Sequence, residues 1–518
     1  MTQPDSSRRL FLRQAGALGS LVGASATPLA LNLLAAGSAA AQSAADYKAL
    51  VCVFLFGGND AYNTVLATDA DSWASYRGVR DHGGETIALP AAGTAPNPGA
   101  SIASAARLGG VLPISPRNPQ GRSFALHPAL GSLATLFDRD RRLAILPNIG
   151  SLVMPTTKAQ VAQAGHPKPP SLYSHNDQQS IWQALAPEGA SRGWGGRFGD
   201  LLASMNGRPV FTAISASGNA VWLAGDTVRQ YQVDTNGAIR VGADGNGRVY
   251  GSAPVAAAME RVLTTSRGDH VFERDLAALG RRTIEAEAAL RSVLRPASSA
   301  PFGTTPVSGG YNARTDPLLQ HDSLEGGGGK AFNPLAQQLQ MVARMIDAGA
   351  SSGLAARRQV FFVGLGSFDH HSSQVRAQAE LLAQLAHGLA YFDATLGALG
   401  LRERVVSFTA SDFGRTFTSN GDGTDHGWGA HHFVLGGAVR GGDLYGRFPL
   451  LGLKNAHNNQ FDSSPDQLGN GALLPQTSVE QLGATLGRWF GLSDGQLLDV
   501  FPNLARFDAG RRNLGFLG

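Results

Sequence analysis

Five short apolar runs, rich in β-branched and aromatic residues, stand out along the chain, and each ends in a loop of glycine or polar residues. Runs of this length and composition predict strands that are buried on both faces of a sheet. The five predicted strands span residues 47–56, 141–149, 209–216, 358–366 and 404–411.

Between these runs, apolar residues recur at spacings of three and four, which predicts amphipathic helices. They lie around residues 127–140, 177–186, 196–205, 255–266, 272–294, 334–350 and 373–398. Alternation of strands and helices predicts an α/β fold, with a mainly parallel, doubly wound sheet and helices on both faces. With 518 residues, of which 43% are hydrophobic, the chain can bury the core of one large domain.

Two regions interrupt this rhythm. Residues 228–251 carry two Asn-Gly pairs between short alternating runs, which predicts a β-hairpin insertion. Residues 296–332 are rich in Pro, Gly and Ser and are expected to form a long surface loop. Such a loop is either a lid or binding loop, or simply a mobile connection.

The first residues have the pattern of an export signal. Arg8 and Arg9 precede Leu10, and an uncharged Ala/Gly/Leu-rich run follows. We expect a twin-arginine signal peptide over residues 1–41, cleavage after Ala41, and a single mature domain over residues 42–518. The alternative is a retained anchor, which the interruptions by Gly, Ser and Pro28 disfavour. The expected location is therefore periplasmic or secreted, reached through the twin-arginine translocase, with no stable membrane span after signal removal.

Charge and cysteine content narrow the function further. Removing the signal leaves 40 basic and 38 acidic residues, and no basic run is interleaved with aromatic residues. This composition argues against nucleic acid as a partner. The only cysteine, Cys52, lies inside an apolar run and is expected to be a core residue rather than a nucleophile.

Acidic and imidazole side chains follow three of the predicted strands. The carboxyl ends of parallel strands open on one edge of a sheet, so these groups are expected to share a site. Carboxylate and imidazole together suit zinc, manganese or iron better than calcium. For each loop the alternative is local, a turn or helix cap with solvent-facing histidines. The residues concerned are Asp60, Asp369, His370, His371, Asp412 and, for an anionic oxygen, Arg415.

Two further segments add candidates. The segment 421–432 contains Asp425, His426, His431 and His432, and at most one of the last two is expected to face the site because side chains alternate along a strand. Ser174 and His175 lie just before a predicted helix, where a nucleophile or an oxyanion contact is one interpretation and a plain capping box the other.

Several long motifs carry a family resemblance: "FLFGGNDAYNT", "YSHNDQQ", "GWGGRFGDLL", "GSFDHHSSQ", "SDFGRT" and "GTDHGWGAHH". Over most of the mature chain the sequence closely resembles domain of unknown function 1501, a family of exported bacterial proteins. That family looks like a branch of the alkaline phosphatase and sulfatase superfamily. The resemblance implies an alkaline-phosphatase-like fold with one or two metal ions at the strand ends.

The resemblance also implies ligands at individual positions. Asp60, Asp369 and Asp412 match the superfamily's carboxylates, and His371 matches an imidazole, with His370 as the alternative. Phe413 stands where the superfamily has a histidine, and His426 could replace it, with His431 or His432 as the remaining ligand. Ser174 is the nearest match to the superfamily's nucleophile, and Thr64 is another. The sulfatase signature Cys-x-Pro-x-Arg is absent.

Together these observations predict an exported metal-dependent hydrolase acting on a phosphate or sulfate ester, in a small molecule or a polymer. One or two divalent ions are expected, zinc or manganese first, with calcium or iron as alternatives. Arg415 would bind the anionic group, and Ser174 and His175 would assist catalysis. The alternative is a non-catalytic exported metal-binding or scaffold protein that keeps the phosphatase fold, which the missing histidine at Phe413 favours.

Overall fold

The computed structural model describes residues 47–81, 86–235, 237–238, 247–266, 268, 270–324, 329–351 and 353–518. The expected signal peptide over residues 1–41 lies outside the described residues. Residues Tyr47–Gly518 form one compact unit.

A nine-stranded sheet forms the centre of this unit. The bounds of the sixteen described strands are β1 Lys48–Leu55, β2 Val65–Ala67, β3 Leu112–Ile114, β4 Phe124–Leu126, β5 Leu143–Gly150, β6 Ala213–Ser215, β7 Tyr231–Asp234, β8 Gly237–Ala238, β9 Gln320–Asp322, β10 Lys330–Phe332, β11 Arg358–Leu365, β12 Val405–Ser411, β13 Arg415–Ser419, β14 Thr424–His426, β15 Ala430–Leu435 and β16 Thr477–Ser478. The strand order in the central sheet is β16-β5-β15-β12-β1-β11-β6-β7-β8.

Parallel pairing dominates the middle of this sheet. Strand β1 pairs in parallel with β11 on one side and with β12 on the other, and β6 continues the parallel set beyond β11. Strand β15 is antiparallel to both β12 and β5. The predicted α/β class with a mainly parallel sheet is confirmed, and the antiparallel strand makes the sheet mixed.

The described helices also follow the predicted pattern, and all seven predicted helices are present. Their bounds are α1 Ala70–Arg80, α2 Gly131–Asp138, α3 Lys158–Val161, α4 His175–Ala184, α5 Trp194–Leu202, α6 Ala253–Thr264, α7 Val271–Val293, α8 Pro334–Ala350, α9 Gln374–Ala398, α10 Val479–Phe490 and α11 Asp494–Val500. All five predicted strands are present as well. The strand predicted over 209–216 is shorter than expected because Pro209 begins a short 3₁₀ helix, Pro209–Phe211, instead of donating to the sheet.

The sheet separates two hydrophobic cores. Along β1, Val51 and Val53 face a layer containing α2, α8 and α9, whereas Cys52 and Phe54 face a layer containing α5 and α10. This is the alternation of side chains along a strand that is buried on both faces. Cys52 is 2% exposed, as expected of a core residue.

The two predicted interruptions lie at one end of this sheet and along α9. In the first, β7 pairs with β6 and also forms an antiparallel hairpin with β8; residues 236 and 239–246 lie outside the described residues. In the second, β9 and β10 form a short antiparallel pair. None of the helices in the described part of the chain is long and apolar enough to cross a membrane.

Candidate metal centre

Three neighbouring strands end at the same place on the sheet. Leu55, the last residue of β1, pairs with Leu365 of β11 and with Ser411 of β12. The loops that follow therefore begin side by side, as the parallel arrangement requires. Asp369 lies in the loop after β11, and Asp412 directly follows β12.

A glycine lets two of these loops approach closely. Gly57 has a φ of +113°, and a Cβ atom at this position would lie 2.4 Å from the backbone nitrogen of Asp369. Only glycine accepts both the backbone angle and the close contact. Its own N–H donates to Asp412 Oδ2 over 3.2 Å. The loop after β1 thus packs against Asp369 and hydrogen-bonds Asp412 without contributing a ligand itself.

Three histidines and one aspartate converge above these strand ends. We call this set the histidine cluster: His175, Asp369, His371 and His426. Ligand atoms of His175, Asp369 and His426 all lie within 4.8 Å of one another. The Nε2 atom of His371 is 3.0 Å from both Asp369 Oδ1 and His426 Nε2.

The nitrogen atoms face each other directly. His426 Nε2 lies 3.2 Å from His175 Nε2 and 3.3 Å from Asp369 Oδ1. Asp369 Oδ2 in turn is 3.4 Å from His175 Nε2. Three elements supply the cluster, since His175 is the first residue of α4, Asp369 and His371 follow β11, and His426 ends β14.

The other ring nitrogen of each histidine faces an oxygen. His175 Nδ1 is 2.7 Å from Asp412 Oδ2, and His426 Nδ1 is 2.7 Å from the carbonyl oxygen of Tyr173. His371 Nδ1 is 3.3 Å from Asp425 Oδ1. A carboxylate or carbonyl oxygen only accepts, so each of these contacts favours the tautomer in which Nδ1 donates.

This arrangement determines what the cluster can bind. In the neutral tautomer with Nδ1 protonated, an imidazole presents an Nε2 lone pair, and the three Nε2 atoms point at one another beside a carboxylate. Facing lone pairs repel unless a cation lies between them. Imidazoles whose outer nitrogen is hydrogen-bonded to carboxylate or backbone carbonyl are the usual ligands of transition metals, zinc in particular. The residues present therefore fit a divalent metal ion.

Two side chains hold the imidazole rings in place. The ring of Phe413 lies 4.8 Å from the ring of His175 and 4.7 Å from that of His426. Gln179 Nε2 donates to Asp412 Oδ2 over 2.8 Å. Phe413, the position at which the resemblance implied a missing ligand, thus packs against the rings of two of the histidines.

The pKa values of the cluster reflect these contacts. Partial burial alone would raise the pKa of Asp369, but the hydrogen bond and the charge of Arg415 hold it below its usual value. The hydrogen bond to Asp412 raises the pKa of His175 against the opposing effect of burial. Burial lowers the pKa of His426, although its hydrogen bond to Tyr173 opposes this.

Arg415 contacts the cluster from its buried side, through Asp369. Its Nη2 donates to Asp369 Oδ1 over 2.7 Å, and its side chain is fully buried. Its Nε and Nη1 atoms are buried and have no hydrogen-bond partner among the described residues. No part of the guanidinium reaches the surface. We had expected Arg415 to bind an anionic ligand, but the group that it contacts in the structure is the carboxylate of Asp369.

Asp60 lies outside the cluster. Its carboxylate is engaged by Arg80, with Nη1–Oδ2 and Nη2–Oδ1 distances of 2.5 and 3.0 Å, and by Gln374 Nε2 at 2.6 Å. It also caps the 3₁₀ helix Ala61–Asn63 by accepting from Tyr62 N–H. The structure therefore shows the capping role that the sequence left open. Since the buried guanidinium of Arg80 engages both carboxylate oxygens, neither oxygen is directed at the cluster.

Asp412 and Asp425 contribute through histidines. Asp412 is fully buried, and its Oδ2 contacts His175 rather than the centre of the cluster. Asp425 hydrogen-bonds His371 and is itself held by Asn420 Nδ2 over 2.9 Å. Both carboxylates thus orient imidazole rings of the cluster. Neither lies among the Nε2 atoms and Asp369 oxygens that converge at its centre.

Three other candidate histidines are buried elsewhere. His431 Nδ1 accepts from the N–H of Asn148, and its ring packs against Phe448 in one core layer. His432 packs against Trp182 in the opposite layer, so the two side chains do alternate, and neither has a ring nitrogen in contact with the cluster. His370 is 6% exposed, and neither ring nitrogen has a partner among the described residues. Burial lowers the pKa of His370 to about 4, so it is neutral near pH 7.

The candidate nucleophiles make local contacts. Ser174 is the N-cap residue of α4, and its side chain makes no capping hydrogen bond. The hydroxyl of Thr64 is fully buried and donates to the carbonyl oxygen of Asp60 over 2.7 Å. His175, expected beside a nucleophile, instead belongs to the cluster.

Sequence reasoning missed two supporting groups, Gln179 and the carbonyl oxygen of Tyr173. Gln179 lies four residues after His175, which places both on one face of α4, so helical spacing could have indicated it. Every residue has a backbone carbonyl, so nothing in the sequence could have indicated that the carbonyl of Tyr173 contacts His426.

The cluster is open to solvent on one side. The side chains of Asp369 and His371 are 44% and 47% exposed, whereas those of His175 and His426 are 28% and 24% exposed. An ion held here would have room for a water molecule or a ligand oxygen.

Comparison with known proteins adds little on chemistry. A solved structure described as "Crystal structure of Ps i-CgsB in complex with k-i-k-neocarrahexaose" is similar at 8% identity and a TM-score of 0.32, over 90% of this chain and 77% of that chain. A likeness of this size carries no inference about fold or function. No curated protein matches this chain. Residues 333–501, which include Asp369, His371 and His426, match the family described as "Protein of unknown function (DUF1501)", and this match supports the resemblance to that family over this part of the chain.

Proposed function

We propose that the protein is an exported metal-dependent hydrolase of a phosphate or sulfate ester. The observation that carries the metal site is the convergence of three Nε2 atoms whose Nδ1 partners are all oxygens. The choice of ester and the export route rest on the sequence resemblance and on the Arg8–Arg9 motif.

Each residue has a role in this proposal. His175, His371 and His426 would hold one divalent ion through Nε2, with Asp369 as the carboxylate ligand. Zinc or manganese suits this donor set best. A bound ion would lower the pKa of a coordinated water and neutralise charge developing at an ester oxygen.

The chain supplies orientation and charge balance. Asp412 and Asp425 hold two of the imidazoles in the tautomer that leaves Nε2 free, and Arg415 fixes the Asp369 carboxylate. The exposed side of the cluster would admit the ester. Because the Thr64 hydroxyl is buried and donates to a backbone carbonyl, and Ser174 is not among the residues that converge in the cluster, we propose water as the nucleophile.

One observation favours the alternative of a non-catalytic metal-binding or scaffold protein. The only arginine in contact with the cluster among the described residues, Arg415, is fully buried and cannot reach an ester oxygen at the surface. In that case the site would bind metal and leave phosphate and sulfate esters unchanged.

The first experiment is metal content of the mature protein, residues 42–518, by inductively coupled plasma mass spectrometry. We expect about one transition-metal ion per chain in the wild type. His175→Ala, His426→Ala and Asp369→Asn should each lose it. His457→Ala is the matched control, since His457 is an exposed histidine outside the cluster. Wild-type protein that stays empty after supplementation with zinc and manganese would refute the metal centre.

The second experiment separates the two functions. A panel of phosphate and sulfate esters, of small molecules and polymers, would be assayed with metal-loaded wild type and with Asp369→Asn. Turnover that is lost in the variant supports the hydrolase. Full metal loading without turnover of any ester in the panel supports the non-catalytic alternative.

A further inference from the structure

Exposed apolar side chains concentrate on two helices away from the metal centre. Of the sixteen large apolar side chains that are exposed among the described residues, seven lie on α6 and α7. Phe272 is 75% exposed, Val262 70% and Leu276 64%. We call α6 and α7 together the helical arm. Exposed apolar patches of this density mark interaction sites rather than ordinary surface.

The exposed residues have helical spacing on both helices. Six of the seven are Val255, Met259 and Val262 on α6 and Phe272, Leu276 and Leu279 on α7; the seventh, Val271, precedes Phe272. In each case the positions are i, i+4 and i+7, which places three side chains on one face of the helix. This spacing is typical of a seam that packs against another helix.

On α7 the exposed face continues a buried one. Ala286 and Leu290 lie fourteen residues after Phe272 and Leu276, on nearly the same side of the helix, and both are buried in the core of the domain. The apolar face of α7 therefore runs past the point where the domain covers it. Its first half lacks a covering element among the described residues.

The two helices of the arm also pack closely. A Cβ atom at Gly280 of α7 would lie 2.3 Å from the carbonyl oxygen of Leu263 of α6. The outer face of α6 presents Val255, Ala258, Met259 and Val262 to solvent. The contact between the helices leaves this face and the apolar face of α7 uncovered.

The charges of the arm distinguish the kinds of partner. Apart from the buried Glu287, helices α6 and α7 carry four acidic and five basic residues, so the net charge of their surface is small. A helix that lies on an anionic membrane is rich in Lys and Arg on its polar face, and a strongly charged partner would require a net charge of the opposite sign. A surface with both signs and little net charge can be complementary to itself.

We propose that the helical arm is a homodimer interface, occupied by the arm of a second copy of this chain. In a two-fold arrangement the same patch contacts itself, so apolar seams meet apolar seams and acidic residues meet basic ones. Seven large side chains at these exposures offer on the order of several hundred Å² of apolar area, comparable to the ~800 Å² per partner of a stable interface.

The test is the oligomeric state of the mature chain by analytical ultracentrifugation. We expect a dimer at micromolar concentration for the wild type. Phe272→Glu combined with Leu276→Glu should give a monomer, because four carboxylates would face one another in the dimer. Leu450→Glu combined with Leu453→Glu is the matched control at exposed leucines outside the arm, and should remain a dimer.

A crosslinking experiment identifies the surface independently. Cys52 is the only cysteine and is buried, so a new surface thiol is the only reactive one. Leu276→Cys treated with a bis-maleimide should give a covalent dimer, whereas Leu453→Cys should not. Melting temperatures equal to that of the wild type would show that the variants fold.

Other outcomes would overturn the proposal. A wild type that stays monomeric up to about 100 μM, or a dimer that survives both arm substitutions, removes the arm as the interface. Flotation of the monomeric mature chain with phosphatidylethanolamine–phosphatidylglycerol vesicles, lost on Phe272→Glu, would assign the patch to a lipid surface instead. None of these readouts depends on metal or on ester hydrolysis.

Discussion

The Nδ1 atom of His175 lies 2.7 Å from Oδ2 of Asp412, and this contact joins the start of α4 to the end of β12. Asp412 is fully buried beneath the histidine, which is 28% exposed. The carboxylate accepts a hydrogen bond from Nδ1 and so favours the tautomer in which Nε2, the nitrogen that faces His426, is free. A residue at a strand end can therefore orient an imidazole of the histidine cluster without belonging to the cluster.

Replacing Asp412 should weaken metal binding while leaving every proposed ligand in place. In Asp412→Asn, the side-chain oxygen can still accept from His175, but the negative charge that favours the Nδ1–H tautomer is lost. Loss of such a supporting carboxylate typically costs 10- to 100-fold in metal affinity. The dissociation constant for zinc, measured by competition with a chromogenic chelator, checks this. Asp226→Asn, at an exposed aspartate, is the control; equal affinity for both variants would contradict the role of Asp412.

Removing the metal should also lower thermal stability. The cluster joins α4, the loop after β11 and β14, so an ion bound there holds together three parts of the fold. Binding to the folded state alone adds about 2.7 kcal/mol when free metal is 100 times its dissociation constant. Differential scanning calorimetry with and without a chelator should therefore show a lower melting temperature for the stripped protein. His426→Ala should melt at the same temperature in both conditions.

The edge of the sheet where the cluster lies was predictable, and the partner of each side chain was not. Apolar runs identify β1, β11 and β12, and parallel pairing then brings Asp60, Asp369 and Asp412 to one edge. Which of these carboxylates is left to join the cluster depends on Arg80, which engages Asp60, and on His175, which engages Asp412. Both partners come from helices elsewhere in the sequence. Local pattern does not encode those long-range contacts. The burial of His431 and His432 likewise depends on the layers above and below β15, which the pattern of one strand does not reveal.

Asp60 should prove structural rather than metal-binding. Its carboxylate pairs with Arg80, and both side chains are buried. Removing one partner leaves the other charge buried without compensation, which typically costs about 3–5 kcal/mol. Asp60→Asn should therefore reduce the free energy of unfolding in urea by an amount of that order, while metal content per folded chain stays unchanged. Loss of metal at full stability would instead place Asp60 among the ligands.

Buried neutral histidines should make the protein sensitive to acid. Burial lowers the pKa of His127, His431 and His432 from 6.5 to about 3. Between these values the unfolded chain binds protons that the folded chain does not, so the free energy of unfolding falls as the pH is lowered. The stabilising effect is complete above about pH 6.5 and is lost progressively toward pH 3, at ~1.4 kcal/mol per pH unit for each histidine.

His127 offers a direct test of this dependence. Its Nδ1 accepts from the N–H of Ala129, 3.0 Å away, at the start of a short helix, and an asparagine oxygen can accept the same bond. His127→Asn should therefore lose one proton from the difference between the unfolded and folded states. Urea unfolding between pH 6 and pH 4 should show a slope against pH that is shallower than that of the wild type by ~1.4 kcal/mol per pH unit. Parallel slopes would mean that His127 takes up its proton in the folded protein as readily as in the unfolded chain.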